Sequence, residues 1–225
     1  MPMSQRLNVL TVTGISLDDQ AGGVNTMIRT LSRSLADTCR SVYLEYDWDS
    51  PRLSRHEGDI YPRYALRIRA PYVASAPIRN VLAWCITLPV MIRDLRRLLR
   101  DEAIDIVHLH YGAVYQYMFR VLRLVSGVPY ILTLHRGDIA TFPKMSFLDR
   151  ALMRFTINGA DKVVAVSHSL AAEAVAALGV MTNLEVIQNG LDIEELDAID
   201  RPDLDSALGF ALPKQFFLMV SNVTI

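Results

Sequence analysis

The chain has 225 residues, half of them apolar and about a fifth charged, the make-up of a globular protein and not of a disordered one. A net charge of -1 gives no global electrostatic case for nucleic acid. Two unpatterned cysteines, Cys39 and Cys85, exclude a disulfide framework or a paired-cysteine metal site and leave a reducing compartment as the default.

Met1 to Leu10 carries one early arginine and no apolar run long enough for a signal peptide. Nothing reaches the roughly 18 apolar residues of a membrane-spanning helix. The nearest run, Val81 to Ile92, is broken by Pro89 and followed at once by Arg93. A soluble, cytoplasmic protein is expected.

In chain order, Asn8–Thr13 is the first expected strand, and a loop ending in Gly22-Gly23 follows it. Val24, Met27, Ile28, Leu31 and Leu35 then recur at helical spacing and predict an amphipathic helix. Ser41–Glu45 is a second strand. The stretch from Tyr46 to Pro77 reads as irregular, with one strand near Tyr64–Ile68. Ile78–Arg100 is expected to be helical and bent at Pro89, where a backbone donor is missing.

Ile104–Leu109 is a strand, Ala113–Ser126 a helix, Gly127-Val128-Pro129 a turn and Tyr130–Leu134 a strand. His135 to Lys144 is expected as a loop. Ser146–Asn158 is a helix and Lys162–Val166 a strand. Ser167–Leu178 is a helix with Ser167 as its cap, and Val186–Ile187 is a short strand. Continuous apolar strands alternating with amphipathic helices predict an α/β fold, a Rossmann-like, doubly wound and mostly parallel sheet. Ligands of such sheets sit beyond the carboxyl ends of the strands. That singles out Gly22-Gly23, His110-Tyr111-Gly112, His135 to Asp138, Ser167-His168 and Asn189-Gly190.

The composition changes after residue 191. Eight acids lie between Glu185 and Asp205 with Arg201 as the only base, and the apolar run Phe216–Val220 follows Pro213-Lys214-Gln215. Residues 1–191 are expected to form one domain, 192–215 a helix and linker, and 216–225 the first strand of a further domain. An apolar strand without a partner sheet is an aggregation liability, so the chain is expected to be truncated.

Five segments taken together, in this order, resemble the N-terminal domain of the family 4 retaining glycosyltransferases, one half of the GT-B architecture. They are Ala21-Gly22-Gly23-Val24 at the head of a helix, Ile104 to His110, Leu132 to His135, Ala160 to Ser167 and Val186 to Asp192. The match spans most of residues 8 to 192, and Phe217–Val220 is similar to the first strand of that family's C-terminal domain. There the family continues Gly-Arg, whereas Ser221-Asn222 stand here.

The resemblance implies transfer of a hexosyl unit from a nucleotide-sugar donor to a glycan or lipid-linked acceptor, with retention. It implies no metal and no cofactor. Gly22 and Gly23 would bring helix N-terminal N–H groups against the donor diphosphate; the bland reading is a turn before a helix. His135 would meet the donor sugar near the reacting carbon, and Arg136, where the family commonly has glycine, would alter the acceptor side. Asn189 and Gly190 resemble the loop at the domain junction, or form a turn with glycine at positive φ. Asp138 orients Arg136 or His135, or is a solvated carboxylate.

His108 and His110 are expected to face opposite sides of their strand, which argues against a shared metal. One of them is read as packed, with His110 as the cleft candidate. Eight arginines against the single acid Asp94 fall between Arg63 and Arg100. Arg93, Arg96, Arg97 and Arg100 are read either as a face for an anionic membrane or lipid-phosphate acceptor, peripheral at the inner face of the membrane, or as a solvated helix surface.

The cations and paired glutamates that bind the leaving diphosphate in the family lie in its C-terminal domain, so the chain alone is expected to be weakly active or inactive. A non-catalytic half that works with a C-terminal half in trans stays open. So does another Rossmann-type enzyme, a nucleotide-sugar epimerase or a dehydrogenase. The absence of GxGxxG after the first strand speaks against the dehydrogenase.

Overall fold

The computed structural model describes residues 6–14, 23–56, 61–71, 77–179 and 181–190. The chain divides into two units, residues 1–190 and 191–225. The anticipated linker and final strand lie in the second unit, outside the described residues.

The first unit is one sheet covered by helices. Its strands are β1 (Leu7–Thr13), β2 (Cys39–Tyr46), β3 (Ser54–His56), β4 (Arg63–Leu66), β5 (Ile106–His110), β6 (Tyr130–Leu134), β7 (Lys162–Ala165) and β8 (Leu184–Val186). The helices are α1 (Gly23–Ser34), α2 (Pro77–Asp101), α3 (Tyr117–Ser126), α4 (Arg136–Thr141), α5 (Phe147–Gly159) and α6 (His168–Leu178). The sheet order is β3-β4-β2-β1-β5-β6-β7-β8. Every neighbouring pair is parallel except β3 with β4. The doubly wound, Rossmann-like reading therefore holds, and the chain's order reverses at β1, between β2 and β5.

The central strands are buried on both faces, which is why they read as continuous apolar runs. Leu10, Val12, Val42, Leu44, Leu109, Leu132, Leu134, Val163 and Ala165 are fully buried there. From α2 the core receives Met91, Leu95, Leu98 and Leu99. The inner face of α2 also carries Asp94, whose carboxylate accepts from Arg52 Nε at 2.7 Å and Nη2 at 3.2 Å, clipping the segment before β3 to the helix. Ser167 caps α6 as expected, its hydroxyl accepting from the Leu170 N–H at 3.1 Å. Ser146 does the same for α5 with the Asp149 N–H.

Several expectations are corrected. The segment after His135 is not a loop: α4 runs from Arg136 to Thr141 and a single 3-10 turn, Phe142–Lys144, follows it. The helix expected from Ala113 begins as another 3-10 turn, Val114–Gln116. On α1 the buried residues are Asn25, Ile28 and Ser32, whereas Leu31 and Leu35 are exposed. The buried Tyr43 hydroxyl on β2 donates to Ser32 Oγ at 2.6 Å, which turns a polar stripe of the helix inward. Strand β3, three exposed residues with no apolar pattern, was not anticipated.

Candidate functional site at the carboxyl edge of the sheet

The ends of β1, β5 and β6 meet around a cavity of about 440 Å³ lined by Gly14, Tyr111, Gly112, Tyr115, Asp138 and Thr141, among others. This is the topological switch point, where a doubly wound sheet opens a crevice between diverging crossovers. Close approach fixes two of the glycines. A Cβ on Gly14 would stand 2.6 Å from Tyr115 Oη, and one on Gly112 would stand 2.8 Å from Met153 Cε. Tyr111 adopts φ of 72°, a left-handed conformation that costs a tyrosine ~1–3 kcal/mol and that recurs at binding sites. Its ring lies 4.8 Å from that of His135.

His135 follows β6 directly and is nearly buried. Its backbone N–H donates to Asp138 Oδ2 at 2.8 Å, and the Asp138 N–H donates to the His135 carbonyl at 3.0 Å. This reciprocal pair starts α4 and holds the imidazole at the strand end. Burial drives the His135 imidazole down to about 4, so it is neutral at pH 7. A neutral imidazole has one nitrogen that donates and one that accepts, and Nε2 has no partner among the described residues.

Burial also lifts Asp138 to about 6, against the lowering effect of N–H bonds from His135 and Gly112. Asp138 therefore orients His135 through the backbone, and it makes no ion pair with Arg136 among the described residues. Burial, followed by the charge of Asp138, raises the Tyr111 hydroxyl and lifts that of Tyr115 to about 12. The result is a phenol-walled cavity with a single buried carboxylate, suited to hydrogen-bonding a polyhydroxylated molecule.

His108 and His110 do not face opposite sides. Residues two apart on a strand share a face, and the two rings lie 4.2 Å apart, with His110 in turn 5.9 Å from His135. His108 Nε2 is 2.8 Å from the Thr133 hydroxyl. Nor is His110 on the cleft surface: it is fully buried beneath His135, and burial holds it well below its ordinary value. The stack is a neutral layer under the site. Among the described residues no group of three His, Cys, Asp or Glu could hold a metal ion.

Of the remaining expected residues, Gly22 lies outside the described residues. Gly23 is the first residue of α1 and has open space where a Cβ would stand. Arg136 is exposed at the head of α4. Asn189 and Gly190 are exposed beyond β8, an edge strand two places from β6, and the alternative of a turn with Gly190 at positive φ does not hold. Arg93, Arg96, Arg97 and Arg100 lie on the exposed side of α2, outside the cavity.

Gly14, Tyr115 and Thr141 were not singled out from sequence. A tyrosine one residue past a strand end was the available signal for Tyr111. An acid three residues past the candidate histidine was the signal for Asp138.

Residues 21–195 match Glycosyltransferase Family 4. A 2-deoxystreptamine N-acetyl-D-glucosaminyltransferase of Streptomyces fradiae is 33% identical over 179 residues, 71% of this chain and 40% of the relative. Among solved structures, the sucrose-phosphate synthase of Thermosynechococcus elongatus superposes with a TM-score of 0.63 at 16% identity, covering 92% of this chain and 53% of that one. Anabaena HepE, solved with UDP and glucose, gives 0.59 at 15% identity, covering 91% and 50%. The chain thus spans about two fifths of that relative and about half of those structures. The fold is the Rossmann-like half of the GT-B architecture, and the chain belongs to glycosyltransferase family 4.

Proposed function

We propose that this chain is the acceptor-side half of a transferase that moves a hexosyl unit from a nucleotide-sugar donor to a glycan or lipid-linked acceptor, with retention. The observation that carries the reading is the neutral, buried His135 at the end of β6, its Nε2 without a partner, beside a cavity walled by Tyr111 and Tyr115. A neutral imidazole can hydrogen-bond a sugar hydroxyl without adding charge next to a developing oxocarbenium ion. The cavity receives the acceptor hydroxyl, and the Asp138 carboxylate at its wall orients it. Gly23 is the first residue of α1, and a helix N-terminus is suited to an anion such as a diphosphate.

The UDP and glucose of the HepE structure support a nucleotide-sugar donor. The family match favours transfer over the epimerase reading. Cations that stabilise the departing diphosphate are supplied by a C-terminal half, in the same polypeptide or in trans, and the 225-residue chain by itself turns over little or not at all. No cofactor takes part.

The test fuses this chain to the C-terminal half of a family 4 relative and measures release of nucleoside diphosphate from UDP-glucose and UDP-N-acetylglucosamine, with the anomeric configuration of the product read by NMR. The reading expects an α-linked product from the α-linked donor. It also expects a loss of about a hundredfold or more in His135→Ala, the scale of removing one hydrogen-bonding group that acts in the transition state. An inverted product would refute retention. A folded fusion that binds donor without transferring sugar would refute the transferase reading.

A further inference from the structure

Helix α2, the longest among the described residues, presents an outer face that the sheet does not use. Residues 82, 85, 86, 89, 93, 96, 97 and 100 of α2 are all exposed, and their spacing of three and four places them along one stripe. The stripe is divided lengthwise. Its first half is Leu82, Cys85, Ile86 and Pro89, with Leu82 60% and Ile86 74% exposed. Its second half is Arg93, Arg96, Arg97 and Arg100.

Beside the second half lies an open groove of about 1390 Å³ between α2 and the end of α3, where Val125, Ser126 and Val128 form the opposite wall. Leu124, 73% exposed, extends the apolar surface next to it. Five arginines border the groove against Asp94 and Asp101. Asp94 is engaged by Arg52 and lies 3.5 Å from Arg93, Asp101 meets Arg97 at 3.1 Å and Arg100 at 3.5 Å, and Arg96 makes no ion pair among the described residues.

We propose that the outer face of α2 is a docking surface for an anionic lipid membrane, with Leu82 and Ile86 entering the acyl boundary and Arg93, Arg96, Arg97 and Arg100 meeting lipid phosphates. Charge decides the occupant: a surplus of arginines around an apolar-walled groove fits a sheet of phosphates over hydrocarbon and repels a second copy of the same cationic face. Exposed leucine and isoleucine on a helix that already buries its inner face in the core call for an apolar partner. No helix among the described residues is long and apolar enough to cross a membrane, so this contact is peripheral.

The helix spans ~37 Å at 1.5 Å per residue. It leads into β5 and so runs against the strand direction, which sets its apolar half toward the carboxyl edge that holds the cavity. The surface is distinct from the candidate site and does not depend on what that site transfers.

The experiment is co-sedimentation of the 225-residue chain with vesicles of phosphatidylcholine alone and of phosphatidylcholine with phosphatidylglycerol, at low and high salt. The wild type is expected to bind the anionic vesicles, and to release them as salt rises, because the Debye length shrinks from ~10 Å at 0.1 M to ~3 Å at 1 M. Two double variants, Arg96→Glu with Arg97→Glu and Leu82→Ser with Ile86→Ser, are each expected to lower vesicle affinity at least tenfold. Their unchanged circular dichroism and melting would show that the fold is intact.

Absence of binding to anionic vesicles by the wild type would overturn the proposal, as would wild-type affinity in either double variant. A chain that elutes as a dimer, becomes monomeric in Leu82→Ser with Ile86→Ser and ignores vesicles would also overturn it, by assigning the face to self-association.

Discussion

Asp138→Asn separates what the carboxylate does for the site from what it does to the fold. Burial moves this carboxyl from an ordinary 3.8 to about 6, with the His135 and Gly112 N–H bonds already opposing the rise. That displacement amounts to ~3 kcal/mol against the ionised form. The native state therefore holds its proton between pH 4 and 6 where the unfolded chain has lost it. The contribution is favourable below the unfolded value and is lost as pH rises through about 6. Asparagine keeps the shape and an acceptor oxygen but cannot ionise.

Urea unfolding of both proteins at about pH 4 and about pH 8 gives the comparison. The difference between them should move ~2–3 kcal/mol in favour of Asn between those conditions. His108 and His135, both held near 4 by burial, lose stability in the opposite direction as pH falls below about 6.5, but they do so in both proteins and cancel in the difference. A difference that stays constant, or that shifts toward the wild type as pH rises, would refute the reasoning. It would mean that the ionised carboxylate is stabilised by its surroundings and that the cavity is more polar than its walls indicate.

Two further outcomes test the scaffold. Arg63 and Glu45 form an ion pair at 2.9 Å with both side chains under a tenth exposed. Arg63→Met withdraws this partner from a buried carboxylate and should destabilise the fold, and adding Glu45→Leu should restore part of the loss, as read by urea unfolding. Ser167→Ala removes the side-chain acceptor for the Leu170 N–H and should cost ~1 kcal/mol, with a smaller loss for Ser167→Gly.

The parallel strands and most helices were legible because each is specified by its own residues. Tyr130–Leu134 and Val163–Ala165 are largely apolar and largely buried runs, and α2 and α5 are long enough to show their period. His135 was legible because it stands one residue past such a run. Helix α4 was not, since six residues containing Gly137 and Asp138 are too few to display a period. Reciprocal bonds at His135 and Asp138, with packing behind Ile139, hold it instead.

What the sequence determined by itself is the class of the fold, the order of its longer elements and the place of the candidate histidine, because these rest on periodicity and on neighbours along the chain. What the tertiary structure alone decided is which side chains converge. Gly14, Tyr111, Tyr115 and Asp138 come from the ends of three strands far apart in sequence. His108 and His110 lie on one face beneath His135 rather than on two. The apolar and cationic halves of α2 emerge as an open surface only once its inner face is seen to be filled. Burial does the deciding in each case: it sets which polar groups lose water, which titrations move and which apolar residues remain outside, and no short stretch of sequence encodes it.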